Sequence, residues 1–143
     1  MKELSPKAKG DVSELKVLAR LAELDIDMFI PYGENSAADV VIDNSGLERV
    51  QIKTARSTGD GDRPIMFNCR STKSNYTEIK SKDYEGDIEA FIVYWDEDSE
   101  FYYVPIDSAT GTTMTIRRKP TQNNQTHRVN FAEEYNLSEH LGQ

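Results

Sequence analysis

The stretch Ala38-Asp39-Val40-Val41-Ile42-Asp43-Asn44-Ser45-Gly46-Leu47-Glu48-Arg49-Val50-Gln51-Ile52-Lys53-Thr54 decides how this chain is read. Two runs rich in β-branched residues flank Asp43-Asn44-Ser45-Gly46, whose residue types favour a tight turn. The pattern is that of a hairpin, with strands over residues 38–42 and 47–54. Residues two apart in a strand share a face, so Gln51 and Lys53 point one way and Ile52 the other. Counted inward from a turn centred on Asn44-Ser45, Asp39 stands near the level of Gln51 on the partner strand. Val40, Ile42, Val50 and Ile52 are core residues. A polar triplet that interrupts such strands asks for a reason, because burying a bare carboxylate is costly.

Outward from the hairpin, residues 11–24 read as a helix, with Val12, Leu15, Leu18, Ala19 and Ala22 at three- and four-residue steps and Leu21 beside them. Gly10-Asp11 supplies a start signal, and Asp11 with Glu14 has capping-box spacing. Residues 28–31 form a short strand and residues 31–36 a loop. Beyond the hairpin, residues 56–63 are a Gly/Asp-rich loop and residues 65–69 a strand. Residues 70–85 are polar without a clean period and read as loop with some helix. A second hairpin joins residues 88–95 to 101–106 through Asp96-Glu97-Asp98-Ser99. Strands are also expected over 112–118 and 126–130, with a loop at 122–126. Neither a repeat nor a linker divides the sequence, so residues 1–143 are expected to form one domain. A helix followed by strands of a mixed sheet is an α/β or α+β core.

The composition, 37% hydrophobic and 29% charged, is that of a globular chain. No apolar run approaches the roughly 20 residues of a membrane span. The polar start is not expected to be a signal peptide. Cys69 is the single cysteine, so no intrachain disulfide forms. These features point to an intracellular, reducing compartment and no membrane partner. The net charge of −8 argues against a generally basic nucleic-acid binder. Bases nonetheless gather at residues 2–9, 49–56, 70–73 and 117–119. A positive groove is compatible with an acidic total, because fields are screened beyond about 8–10 Å.

Glu14 on a helix, Asp39 on one strand and Gln51-Ile52-Lys53 on the next suit phosphodiester hydrolysis. Carboxylate and amide oxygens are hard ligands for Mg²⁺. A bound metal polarises a phosphate and lowers the pKa of an attacking water. An adjacent lysine orients that water or stabilises charge growing on phosphorus.

Three segments, Lys9-Gly10-Asp11-Val12-Ser13-Glu14, Ala38-Asp39-Val40-Val41 and Val50-Gln51-Ile52-Lys53-Thr54, resemble the PD-(D/E)xK nuclease superfamily in type and order. The likeness runs roughly over residues 9–106. It extends to the small group I intron-type homing endonucleases, where Gln stands at the third position, and to archaeal-type Holliday junction resolvases, which normally carry Glu there. Ile30-Pro31-Tyr32-Gly33-Glu34-Asn35, Tyr84-Glu85-Gly86-Asp87 before Phe91-Ile92-Val93-Tyr94, and Val104-Pro105 favour the homing branch. The resemblance implies a restriction-endonuclease-like core, a mixed central sheet with an N-terminal helix. It implies Glu14, Asp39, Gln51 and the Ile52 backbone carbonyl as metal ligands and Lys53 as the catalytic lysine. Mg²⁺ is the implied cofactor, with Mn²⁺ an alternative. Duplex or branched DNA is the implied substrate, cut by a homodimer or dimer of dimers. Ala38 departs from the Pro of the motif, and Gln51 removes one negative charge from the metal site.

Plainer roles stand beside these. Glu14 caps its own helix, Lys53 guards a strand edge, and Gln51 pairs with strand neighbours. Lys7, Lys9, Arg56, Arg70, Lys73, Arg117, Arg118 and Lys119 are candidate phosphate contacts. His127 and His140 lack partners at zinc-ligand spacing. Cys69 reads as a core thiol. Two other functions compete: a degenerate nuclease fold that binds DNA or protein without cutting, and an acidic mimic of DNA.

Overall fold

The computed structural model describes every residue except 2, 60, 62, 75–78, 84–85, 119–129 and 142–143; of residues 71–74 and 79–83 it describes the backbone. Helix α1 (Pro6–Glu23) begins five residues before the expected start at Asp11. The Ser5 hydroxyl accepts from the Ala8 N–H at 3.2 Å, and Pro6 fills the first helical position. Ser-Pro is thus the start signal, since proline has no N–H to leave unsatisfied there. Gly10 lies inside the helix, so Glu14 does not cap its start as the spacing with Asp11 suggested. The buried face is Ser13, Val17 and Leu21 at steps of four, and Leu15, expected inside, is 68% exposed.

Among the described residues ten strands follow: β1 (Met28–Phe29), β2 (Val40–Asp43), β3 (Leu47–Thr54), β4 (Arg56–Ser57), β5 (Ile65–Asn68), β6 (Arg70–Ser74), β7 (Ile79–Asp83), β8 (Ala90–Trp95), β9 (Glu100–Pro105) and β10 (Thr113–Ile116). A 3-10 turn (Ala132–Tyr135) leads to the short helix α2 (Leu137–His140). The expected strand at 126–130 and loop at 122–126 fall almost wholly outside the described residues. The polar segment 70–85, read as loop with some helix, instead holds the antiparallel pair β6–β7.

The main sheet has the order β1-β2-β3-β8-β9. Only β3 and β8 run parallel in it, so the sheet is mixed, as expected of the α+β core. Every residue of β8 is buried, as a central strand covered on both faces requires. On one face α1 and α2 bring Val17, Leu21, Leu137 and Leu141 against Val40, Ile42, Val50, Ile52, Ala90 and Ile92. On the other, the smaller sheet β10-β5-β4 brings Ile65, Phe67, Met114 and Ile116 against Phe91, Val93 and Trp95. Phe67 meets Phe91 edge to face at 5.4 Å. Cys69 is a buried free thiol in this second core. Among the described residues no helix is long and apolar enough to cross a membrane.

Candidate active site

The β2–β3 hairpin sets the site. Asp43 pairs with Leu47 across Asn44-Ser45-Gly46, where Ser45 has φ 58° and Gly46 φ 142°. Gly46 tolerates that conformation because it has no Cβ, and its N–H is held by the Asp43 carboxylate at 3.1 Å. The register then runs inward to Val40 opposite Val50. Asp39 precedes β2, yet its N–H still donates to the Val50 carbonyl at 2.8 Å, which holds it beside the Val50–Gln51 step of β3. Val40, Ile42, Val50 and Ile52 fill the α1 side. Alternation therefore turns Asp39, Gln51 and Lys53 together to the other face.

The Asp39 Oδ2 accepts the Ile52 N–H at 2.7 Å. A strand residue's N–H and C=O leave on the same side. The Ile52 carbonyl thus faces the edge where β2 has ended, next to the Asp39 carboxylate. Burial pushes the Asp39 carboxyl up; the Ile52 N–H and the Lys53 ammonium pull it back only in part. The Glu14 carboxyl is also raised, chiefly by burial, then by the charge of Asp39, then by that of Asp11. Glu14 reaches this corner because α1 is anchored there: the Ser13 and Thr54 hydroxyls share a hydrogen bond of 2.7 Å. Neither residue stood out in the sequence. The available signal was a serine four residues before Val17 on the buried helical face.

Glu14, Asp39, Gln51 and the Ile52 carbonyl would offer a metal only oxygen atoms, and such donors suit a hard divalent cation such as Mg²⁺ better than zinc. Among the described residues no group of three or more His, Cys, Asp or Glu could hold a metal ion. A cleft of about 800 Å³ lies elsewhere, lined by residues including Lys16, Arg20, Asp98 and Arg118 and by none of Glu14, Asp39, Gln51 and Ile52. The site itself lies where β2 has ended beside β3, and Asp39, Gln51 and Lys53 are half-buried there.

The candidate phosphate contacts fall into different settings. Lys7 and Lys9 stand on the first turns of α1, at the end that carries Glu14. Arg56 is exposed on β4 and donates to Asn68 at 3.2 Å. Arg70 opens β6, and Lys73 lies within it. Arg117 is half-buried, its backbone bridged to Phe131. Arg118 is committed internally: it pairs with Asp98 at 2.8 Å, donates to the Arg63 carbonyl at 2.9 Å and lies 5.3 Å from the Trp95 ring centre. Its side chain is only 13% exposed, so the structure gives Arg118 a packing role. Lys119 and His127 lie outside the described residues. Arg49, not singled out before, projects beside Gln51 and is held by Glu89 through contacts of 2.9–3.1 Å.

An acid at the end of one strand, Gln-x-Lys on the next and a glutamate from the covering helix define the class. Residues 4–138 match the PD-(D/E)XK endonuclease family, and the chain belongs to it. A solved bacterial homing endonuclease, I-Ssp6803I, has the same fold: the TM-score is 0.78 at 22% identity, over 96% of this chain and 92% of that one. No curated protein sequence matches the chain.

Proposed function

We propose that this chain is a Mg²⁺-dependent DNA endonuclease of homing type, one domain over residues 1–143 that acts as a homodimer or a dimer of dimers. Glu14, Asp39, Gln51 and the Ile52 carbonyl hold the ion, and Lys53 is the catalytic lysine. The observation that carries this reading is the Asp39–Ile52 hydrogen bond of 2.7 Å, in a register that turns Asp39, Gln51 and Lys53 to one face. The family match supports nuclease chemistry. The fold of the bacterial homing endonuclease supports the homing branch over junction resolution.

When bound, the divalent ion supplies Lewis-acid polarisation of the scissile phosphate and a water of lowered pKa. The chain's own residues do the rest. Asp39 spends one oxygen on the Ile52 N–H, which holds its carboxylate in plane with the strand edge and leaves the other oxygen for the ion. Gln51 adds a neutral oxygen, so the site carries one negative charge fewer than a three-carboxylate site and repels the DNA backbone less. Lys53, close enough to lower the Asp39 pKa, places an ammonium where negative charge grows on the phosphoryl oxygens. Two copies are required for a double-strand cut, because one domain holds one such site.

The test is incubation with plasmid, linear duplex and a four-way junction, in Mg²⁺ or EDTA, beside Lys53→Ala. Duplex cutting that needs Mg²⁺ and Lys53 is expected. Preferential cutting of the junction would favour the resolvase-like alternative. No metal-dependent cutting of any substrate would leave the degenerate, DNA- or protein-binding fold, and cutting that survives Lys53→Ala would refute the site.

A further inference from the structure

On the face of β3 that carries Gln51 and Lys53, the preceding residue is Arg49. The three stand about 7 Å apart in turn along the strand. Beside Gln51 and Lys53 on β8, Phe91 and Val93 are buried beneath the smaller sheet. At the Arg49 end this cover gives out. The Arg49 side chain is 47% exposed, and Leu47, next on the same face, is 67% exposed.

Arg49 is held in one orientation. Its Nε–H donates to the two Glu89 carboxylate oxygens at 3.0 and 3.1 Å, and its Nη2 donates to one of them at 2.9 Å. Nη2 also donates to the Gly86 carbonyl at 3.2 Å. The same carboxylate accepts the Arg49 backbone N–H at 2.6 Å, where β8 has not yet begun. The Glu89 N–H returns to the Arg49 carbonyl at 2.9 Å. One acid thus fixes both the backbone and the side chain of Arg49. The guanidinium in turn holds the Glu89 carboxyl below the usual carboxylate range, so the fork persists at neutral pH.

An exposed ion pair contributes little to stability, so stability is a weak reason for an arginine here. A guanidinium carries five N–H donors. Nε and Nη2 form one edge, which Glu89 and Gly86 occupy. Among the described residues nothing accepts from Nη1, which lies on the edge turned away from the carboxylate. Fixed, charged and unused donors are what planar recognition of a phosphate needs. The position fits the substrate. Phosphates recur every roughly 3.4 Å of axis along each strand of a duplex. An arginine about 7 Å from Gln51 therefore reaches a phosphate one or two nucleotides from the scissile one.

We propose that Arg49, through Nη1, binds a DNA phosphate beside the scissile one, with Glu89 as the positioning residue that holds the guanidinium in place. The inference rests on the endonuclease reading and adds how the cut strand is registered against the metal site. The contact sets register without reading a base, since phosphate contacts carry no sequence information directly.

The test compares wild type with Arg49→Gln, Arg49→Lys and Glu89→Gln. Binding to a linear duplex of mixed sequence is followed across a salt series in EDTA, and the cutting rate at saturating duplex in Mg²⁺. Arg49→Gln should lower the slope of log affinity against log salt by about 0.9, the value of one phosphate contact. It should also bind at least about tenfold more weakly at low salt. Arg49→Lys should keep the slope, because the charge remains. It should cut at least about tenfold more slowly, because an ammonium has no fork for Glu89 to hold. Glu89→Gln should bind no more weakly than wild type at low salt, since an acid has gone. It should cut at least about tenfold more slowly, since the guanidinium is free to turn. A merely structural ion pair would lower the melting temperature and leave the slope and the cutting rate of the folded variants unchanged; that result overturns the proposal. Arg49→Lys that cuts at the wild-type rate overturns it even where Arg49→Gln does not fold. Variants that dissociate into monomers with an unchanged slope would assign Arg49 to a contact between two copies instead. Each of these leaves the nuclease reading standing, whereas wild type that neither binds nor cuts duplex overturns both.

Discussion

Replacing Asp39 by Asn should move stability and activity in opposite directions. The pKa of Asp39 is raised above the ordinary 3.8, with burial the leading cause. For a raised folded-state pKa, the contribution to stability is fully present below the unfolded value and is lost as pH rises through the folded one. At neutral pH the metal-free protein therefore holds an ionised group that opposes folding. Asn keeps the shape and an oxygen to accept the Ile52 N–H, now at 2.7 Å. It forgoes the charge assistance of that bond, about 1 kcal/mol. It also removes the burial cost and the charge that raises Glu14. Because the net shift of Asp39 is upward, relief outweighs loss. Asp39→Asn in EDTA is expected to be more stable than wild type by up to about 1 kcal/mol, or roughly 2–4 °C in Tm for a chain of this size. Cutting should fall at least about 10³-fold, or about 4 kcal/mol of barrier. Adding Mg²⁺ should reverse the stability order. An ion at a hundredfold excess over its Kd stabilises the wild type by about 2.7 kcal/mol, and the Asn variant has lost a ligand. Thermal unfolding with and without Mg²⁺, beside plasmid cleavage, reads all of these. An Asn variant more than about 1 kcal/mol less stable in EDTA would show that the carboxylate is a structural acceptor, and cutting within about tenfold of wild type would refute its role in catalysis.

Thr54→Val should cost about 1–3 kcal/mol, because it strips the partner from a buried hydroxyl; Ser13 is only 1% exposed. Adding Ser13→Ala should restore most of the loss in urea unfolding, and no restoration would mean that Ser13 bonds within its own helix. Glu14→Gln should remove from the metal-free protein a carboxyl whose pKa is raised by burial and by the charge of Asp39; a carboxyl titration followed by NMR that is unchanged in the variant would assign that shift elsewhere. Burial pushes the Cys69 thiol up to about 11. Alkylation at neutral pH should be at least about 10²-fold slower than for a free cysteine and complete in urea; labelling of the native protein at the free rate would contradict the core placement.

Where a feature depends on neighbours in the chain, it was legible. Strand β3 has the expected bounds of residues 47–54, because alternation and turn chemistry act over a few residues. The common face of Gln51 and Lys53 follows from the same period of two. The site was half legible: its hairpin residues could be placed from the strand period, while Glu14 was grouped with Asp39 only through the family resemblance. The helix that carries Glu14 is tied to β3 by a Ser13–Thr54 bond spanning 41 residues, which no local pattern announces. Polar ribbons are hard to read for a related reason. The sequences of β6 and β7 lack the apolar alternation that marks a half-buried strand.

By itself, the sequence determined the hairpin, its turn, the side on which each β3 residue lies and the kind of atoms offered there: carboxylate, amide and ammonium. Tertiary structure alone decided that α1 buries Ser13 against Thr54, that β3 runs parallel to β8, and that the Glu14 carboxyl feels the charge of Asp39. It also turned Arg118 inward onto Trp95 and Asp98. Backbone periodicity is a local property, expressed by any few residues. The meeting of a helix with a distant strand is set by how two cores close on opposite faces of one sheet, and that closure is written in no single segment.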